Sequence, residues 1–233
     1  MNSKLLSQLP DFLCGDELIN QLQILPKYNK NIADETMPTR LLALSELYDI
    51  YIPSQLSIDV YNKLYMALLR SIKKKENDRI VKQQRIANTV STIQTYNGII
   101  GGADSFTIIG VSGIGKSSAI TRAISLISGN KFIETTDPYQ RIAPFILVQC
   151  PFDSSVKSLL LEIIRILDTT LDGDYLQIAQ RYTTDRLIGF VSQICLNHVG
   201  VLIVDEIQNV VNNKNGEKLI GSLTQIINSS GIS

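Results

Sequence analysis

The residues with the clearest chemistry form a glycine-rich run, Gly110 to Ser118, which reads GVSGIGKSS. Glycines at Gly110, Gly113 and Gly115 suit a loop whose main chain approaches an anion closely or adopts positive φ angles. The pattern G-x-x-x-x-G-K-S is typical of a loop whose backbone N–H groups and following helix N-terminus surround phosphate groups. The run therefore predicts a phosphate-binding loop.

Two side chains of this loop have predicted roles in nucleotide chemistry. Lys116 supplies a mobile positive charge for the β- and γ-phosphates of ATP and so contributes to catalysis, and the hydroxyl of Ser117 is placed to ligate Mg²⁺. The predicted nucleotide-binding residues are Gly110, Ser112, Gly113, Ile114, Gly115, Lys116, Ser117 and Ser118.

A second motif lies downstream, where the apolar run Val201–Val204 leads into Asp205 and Glu206. Carboxylates in these places of a P-loop protein serve the Mg²⁺ shell and the attacking water. We therefore predict Asp205 as a metal ligand, together with Ser117, and Glu206 as the catalytic residue that polarises water. The two motifs in this order favour ATP and Mg²⁺ as cofactors far more strongly than either motif alone.

Composition places the chain among ordinary globular proteins. It has 233 residues, of which 44% are hydrophobic and 19% charged, and its 22 basic and 22 acidic residues cancel. Bulk charge therefore indicates neither a nucleic acid nor a membrane partner, although local charge still can. No apolar run approaches the roughly 20 residues of a membrane helix, and no signal peptide begins the chain. The expected location is cytoplasmic.

The cysteines and the single histidine argue against a disulfide framework, a zinc site and histidine-dependent catalysis. Cys14, Cys150 and Cys195 are far apart and odd in number, which predicts buried reduced thiols rather than a disulfide framework or a zinc site. His198 is the only histidine, so a Ser-His-Asp or Cys-His mechanism would depend on it alone. A helix-end or turn role for His198 is favoured over catalysis.

The first 70 residues differ from the rest, because prolines divide them into short apolar pieces. We predict a helical appendage at 1–70, with a helix over Thr39–Tyr48, and an ATPase domain at 71–233. Two roles for the appendage stay open: it covers one flank of the main core, or it docks to a partner protein.

The helix predicted from Ile58 to Ile72 has an apolar stripe and continues into a basic stretch. Two interpretations stay open for this stretch: a solvated helix face, which is favoured, or a surface that contacts phosphate backbones of DNA. Its eight basic residues are Lys63, Arg70, Lys73, Lys74, Lys75, Arg79, Lys82 and Arg85.

From the phosphate loop onward the chain alternates between strand and helix patterns. Buried strands are predicted at Phe106–Ile109, Phe145–Cys150 and Val201–Asp205, with a polar excursion at Lys131–Arg141. Helices are predicted after each strand. The one capped by Ser154 or Ser155 has a wide apolar stripe between Val156 and Leu167. The fold class is therefore α/β, that of a P-loop NTPase with a parallel sheet flanked by helices and a small helical region before it.

These motifs, together with the segment QRIAPFILVQCPFDSSVKSLLLEIIRILD and the ending Asp205-Glu206-Ile207-Gln208, resemble the TnsC/TniB family of AAA+ ATPases that regulate DNA transposition. The resemblance covers about Ser71 to Ser233. It implies an ATP-hydrolysing switch that assembles on duplex DNA as a homo-oligomer, without sequence specificity, and recruits or activates a transposase and target-selection proteins. The Walker motifs alone also fit a signalling or initiator-type P-loop ATPase that switches protein interactions.

The family pattern continues after the third helix with further strands, an arginine-finger helix and a lid, for which the chain has no matching residues. We therefore expect the C-terminal part of the module to be missing and hydrolysis to be impaired. In this class of sheet the fourth strand lies between the first and the third. Without it, the strand before the phosphate loop is expected not to pair with the strand that ends at Asp205.

Overall fold

The computed structural model describes residues 5–27, 29–87, 105–129, 131–136, 139–151, 155–207 and 216–230. The chain divides into two compact units, each of which is described by itself. The sheet unit consists of Met1–Pro10, Tyr65–Thr107 and Asn130–Ser233, and the loop unit of Asp11–Leu64 and Ile108–Gly129.

The helices are α1 (Gly15–Leu22), α2 (Met37–Ser45), α3 (Gln55–Ala87), α4 (Lys116–Ser128), α5 (Val156–Leu171), α6 (Tyr175–Ala179), α7 (Thr184–His198) and α8 (Gly216–Ser230). The strands are β1 (Ile133–Thr136), β2 (Tyr139–Gln149) and β3 (Val199–Asp205). Short 3₁₀ helices occupy Leu6–Gln8, Ile32–Asp34 and Glu46–Asp49.

The sheet unit contains a mixed sheet with the order β1-β2-β3. β2 and β3 are parallel, from Ala143 opposite Val199 to Gln149 opposite Asp205. This pairing confirms the strands predicted around Phe145–Cys150 and Val201–Asp205, and the α/β fold class.

β1 was not predicted, and its pairing with β2 is antiparallel, so the expectation of a purely parallel sheet is wrong. Only two residues separate Thr136 from Tyr139, its partner in the register. A connection that short joins antiparallel strands, because a parallel pair needs a crossover of a dozen or more residues. The segment Lys131–Arg141, predicted as a polar excursion, therefore belongs to the β-hairpin of β1 and β2.

Helices α5, α7 and α8 pack with the sheet around one apolar core. The stripe predicted on α5 is buried, and Ser155 caps that helix by accepting a hydrogen bond from the Ser158 N–H at 3.0 Å. Fully buried members of this core are Val148, Leu159, Ile163, Ile164, Leu167, Leu187, Val191 and Val199.

Helix α3 confirms the predicted apolar stripe, since Leu64, Leu68 and Ile72 are buried. Lys75 lies at the next helical repeat of that stripe and is only 6% exposed. Its Nζ donates to the backbone oxygens of Cys195, at 3.1 Å, and Leu196. Lys75 therefore does not belong to an exposed basic face, because the helical period turns it toward the end of α7.

Other members of the basic stretch differ in exposure. Arg70 and Lys73 are exposed and Lys74 is half-buried. The side chains of Arg79, Lys82 and Arg85 lie outside the described residues.

The loop unit joins the N-terminal helices to the helix after the phosphate loop. The Arg122 guanidinium of α4 donates through Nε to the Leu22 oxygen at 2.7 Å and through Nη2 to the Gln21 oxygen at 2.6 Å. These carbonyls end α1, where the helix dipole favours a cation. The helix predicted over Thr39–Tyr48 is present as α2 with the 3₁₀ turn that follows it.

The strand predicted at Phe106–Ile109 is wrong. These residues have no strand conformation, and the Ile109 side chain is 91% exposed. A strand exists only where ladder hydrogen bonds join it to a neighbour, and apolar composition alone does not provide that neighbour.

Two of the three cysteines follow the prediction. Cys150 and Cys195 are buried free thiols, whereas Cys14 is exposed. Cys14 precedes the first residue of α1 directly, at a chain position outside any core, so its burial was wrongly predicted.

Gly200 generates a stability prediction. A Cβ at this position would lie 2.5 Å from the Pro144 oxygen and 2.6 Å from Leu68 Cδ1. We expect Gly200→Ala to lower the free energy of unfolding by about 1–3 kcal/mol, because backbone atoms must shift to admit the methyl group. Urea unfolding measures the change.

Gly189 provides the matched control, since it lies within α7 and a Cβ there would meet nothing within 4 Å. Gly189→Ala should raise the free energy of unfolding by about 0.5–1 kcal/mol through helix propensity. Equal effects of the two substitutions would contradict the close packing inferred at Gly200.

Candidate functional site

The glycine-rich loop has the backbone that its sequence predicts. Gly113 and Gly115 have φ angles of 83° and 90°, in the left-handed region that favours glycine. Gly115 is the N-cap of α4, and its oxygen accepts the first helical hydrogen bond, from the Ala119 N–H at 2.9 Å. The loop therefore turns directly into the N-terminus of a 13-residue helix.

Lys116 folds back over this loop. Its Nζ donates to the Gly110 oxygen at 2.8 Å and to the Val111 oxygen at 3.0 Å. Both partners are neutral carbonyls, and charge-assisted hydrogen bonds to a phosphate oxygen are stronger. The ammonium is thus held at the loop by bonds that an anion can replace.

The remaining loop residues are at the surface. Ser112, Ser117 and Ser118 are exposed, and the Ile114 side chain is 52% exposed. Ser117 and Ser118 belong to the first turn of α4, whose backbone N–H groups point toward the N-terminal end of the helix. Together with the helix dipole, this turn suits a bound anion.

The second motif is positioned by the β2–β3 ladder. The backbone oxygen of Asp205 accepts a hydrogen bond from the Cys150 N–H at 2.9 Å, which fixes the end of β3. The Asp205 Oδ1 accepts from the Glu206 N–H at 2.8 Å. Asp205 is partly buried and Glu206 is exposed, so the strand presents two carboxylates in succession at its carboxyl end.

Glu206 has an unusual backbone, with a φ angle of 57°. An L-residue with a side chain beyond Cβ is strained in this left-handed region by roughly 1–2 kcal/mol. Such strain is typical of residues whose side chain must be aimed for function. The sequence contains no signal for it, because glutamate rarely adopts a positive φ angle.

The predicted site residues fall into two groups. The structure brings Gly110–Ser118 together as one loop within the loop unit, and Asp205 with Glu206 within the sheet unit. Each group offers an oxygen donor of the kind that Mg²⁺ takes, the Ser117 hydroxyl in the first and the Asp205 carboxylate in the second.

Other titratable groups belong to the framework. Burial raises the pKa of the Cys195 thiol to about 12, an effect that the neighbouring Lys75 ammonium opposes, so this thiol stays protonated. His198 ends α7 and its Nδ1 lies 2.9 Å from the Arg141 oxygen, which confirms the helix-end role. Within the described ranges, no three His, Cys, Asp or Glu residues are grouped as metal ligands, and no helix could cross a membrane.

Sequence reasoning missed Arg122 and Lys75. Each of them binds the last carbonyls of a helix that is far away in the sequence, α1 for Arg122 and α7 for Lys75. For Lys75 a signal was available, because it continues the period of the buried stripe on α3. For Arg122 the contact depends on tertiary packing alone.

Residues 99–233, more than half of the chain, match the family model of an AAA domain. The matched range includes the glycine-rich loop and the carboxylates that follow β3. No curated protein matches the chain.

The strain at Glu206 generates a prediction. Glu206→Gly should raise the free energy of unfolding by about 0.5–1 kcal/mol, because the relief of left-handed strain exceeds the entropy that glycine gains in the unfolded chain. Thermal and urea unfolding measure it. Glu206→Gln retains a side chain in the same conformation and serves as the control, with stability unchanged. If the Glu206→Gly variant is no more stable than this control, the backbone of Glu206 is not strained.

Proposed function

Since the chain belongs to the AAA domain family of P-loop ATPases, we propose that it binds ATP with Mg²⁺, hydrolyses it, and regulates DNA transposition. The observation that carries the nucleotide part is the loop itself. Gly113 and Gly115 have positive φ angles, and the Lys116 ammonium lies against the loop carbonyls at the start of α4.

Each site residue has one role in this proposal. The loop N–H groups and the first turn of α4 bind phosphate oxygens, and Lys116 neutralises charge on the β- and γ-phosphates. Ser117 and Asp205 are the residues that would hold Mg²⁺. When bound, this cation supplies positive charge that the transferring phosphoryl group requires.

Glu206 orients the attacking water by accepting a hydrogen bond from it. The water oxygen bonds to the γ-phosphorus while the bond to the β–γ bridging oxygen breaks, giving ADP and inorganic phosphate. The left-handed backbone of Glu206 supports this role, because strained backbone conformations cluster at active sites.

The assignment to transposition rests on the resemblance of the segment from Gln140 to Asp168 and of the Asp205–Gln208 ending to TnsC/TniB proteins. We propose that ATP binding drives assembly of a homo-oligomer on duplex DNA, which recruits or activates a transposase and target-selection proteins. Hydrolysis by Glu206 then times disassembly. A signalling or initiator-type ATPase is the alternative, and DNA binding separates the two.

The nucleotide role is tested by two substitutions. Lys116→Ala should abolish ATP binding, because the γ-phosphate loses its compensating charge, whereas Glu206→Gln should keep ATP binding and slow phosphate release. Filter binding and a phosphate-release assay measure the two properties. Lys131→Ala, which removes an exposed lysine outside the loop, is the control and should change neither. Equal loss of ATP affinity in both site variants would disprove the role of Glu206.

The DNA role is tested through salt dependence. If α3 contacts backbone phosphates, removing Lys82 and Arg85 together should reduce the slope of log affinity against log salt by about two, without a change in sequence preference. Fluorescence anisotropy with duplex DNA at several salt concentrations measures this slope.

A matched control removes two exposed lysines elsewhere, Lys131 and Lys218, and should leave the slope unchanged. An unchanged slope in the Lys82/Arg85 variant, with ATP binding intact, would show that this face of α3 is only solvated. Absence of DNA binding by wild-type protein with ATP would favour the signalling alternative.

A further inference from the structure

The loop unit contains an apolar helix, α2, whose side chains are not buried in a core. Of the nine residues of α2, all of them described, none is buried, and none is buried in the 3₁₀ turn Glu46–Asp49. The exposed fractions are 73% for Met37, 56% for Leu41, 70% for Leu42, 56% for Leu44, 53% for Leu47 and 93% for Tyr48. We call α2 together with this turn the docking helix.

The apolar residues of the docking helix follow a helical period. Met37, Leu41 and Leu44 are spaced by four and three residues within α2, and Tyr48 follows in the 3₁₀ turn. This spacing places apolar side chains on one face, the arrangement by which helices recognise a partner helix or groove. Clustered exposed apolar residues on a soluble domain mark an interaction surface, whereas single ones do not.

The helix is presented on a fixed base. Ile24 and Tyr51 exchange two backbone hydrogen bonds, of 2.9 and 3.0 Å. These bonds join the two ends of the segment from residue 24 to residue 51, called the excursion below, which contains the docking helix. Gln23 directly follows α1, whose last carbonyls are held by Arg122 of α4. The apolar face is therefore attached, through α1, to the helix that follows the phosphate loop.

The charges around the helix indicate what covers it. Asp34 and Glu35 precede α2, Glu46 and Asp49 lie in the turn after it, and all four are exposed. Arg40 is the one basic residue between positions 31 and 52, which gives this segment a net charge of −3. Lys27 and Lys30 lie earlier in the excursion. A symmetric pair of copies would bring the same carboxylates against each other, which is unfavourable.

We propose that the docking helix binds an amphipathic helix of another protein, one that is apolar on one face and carries Lys or Arg along both edges. Burial of the Leu41 and Tyr48 side chains supplies the affinity, and the flanking carboxylates select basic edges over acidic ones. The proposal concerns a surface separate from the nucleotide residues and holds whether or not the chain acts on DNA.

The test uses two synthetic helices of about 18 residues with the same leucine face, one with lysine edges and one with glutamate edges. Isothermal titration with the full chain should show binding of the lysine peptide at least about tenfold tighter than of the glutamate peptide. Leu41→Ser with Tyr48→Ser should weaken lysine-peptide binding by about tenfold or more. Ile178→Ser, at a side chain of matched 53% exposure outside the loop unit, should not change it.

A charge reversal makes the test specific. Glu46→Lys with Asp49→Lys should invert the preference toward the glutamate peptide, while circular dichroism shows an unchanged fold.

Equal affinity for both peptides, or no loss in the Leu41/Tyr48 variant, would overturn the proposal. Self-association by sedimentation that Leu41→Ser abolishes would assign the surface to a second copy, and binding to neutral phosphatidylcholine vesicles through the same residues would assign it to lipid. Either result would also overturn the proposal.

Discussion

Parallel pairing of β2 with β3 is the constraint on which the rest of the sheet unit depends. Strands that run in the same direction cannot be joined by a tight turn, so the chain between Gln149 and Val199 must cross over the sheet. α5 and α7 supply that crossover and bury their apolar faces against β2. The ladder ends with Gln149 opposite Asp205, which delivers the two carboxylates to the carboxyl edge, where open α/β sheets bind ligands.

The same constraint explains the packing at the other end of β3. α7 ends at His198 and β3 begins at Val199, so no loop residue is available to cap the helix with a left-handed glycine. Lys75 donates to the carbonyl oxygens of Cys195 and Leu196, and the Cys195 oxygen also accepts from the Val199 N–H. One residue later in the strand, Gly200 allows Leu68 and the Pro144 oxygen to approach closely. The predicted boundary between the appendage and the ATPase domain falls within α3. In the structure, α3 belongs to the sheet unit from Tyr65 onward.

The sequence correctly predicted features that depend on residues close together in the chain. The glycines at 113 and 115, the capping Ser155 and the stripe of α5 each depend on residues within one or two helical turns, and the structure has all of them. The features that failed depend on partners distant in sequence. An apolar run such as Phe106–Ile109 becomes a strand only if a neighbour pairs with it. The left-handed backbone of Glu206, directly after the end of the ladder, is likewise not encoded by its residue type.

Helical periodicity specifies an apolar face but not what covers it, and α2 and α5 illustrate the difference. Both have apolar residues at spacings of three and four, yet α5 buries five of them against β2 and α7, whereas α2 buries none. An isolated helix of nine residues is marginal in water, because few hydrogen bonds offset the cost of nucleation. Pro38 in its first turn reduces the entropy that the unfolded segment would gain, and in the folded chain the bridge between Ile24 and Tyr51 holds the two ends of the excursion together. These constraints hold α2 helical without a core, so its apolar side chains are kept at the surface in the geometry of a helix.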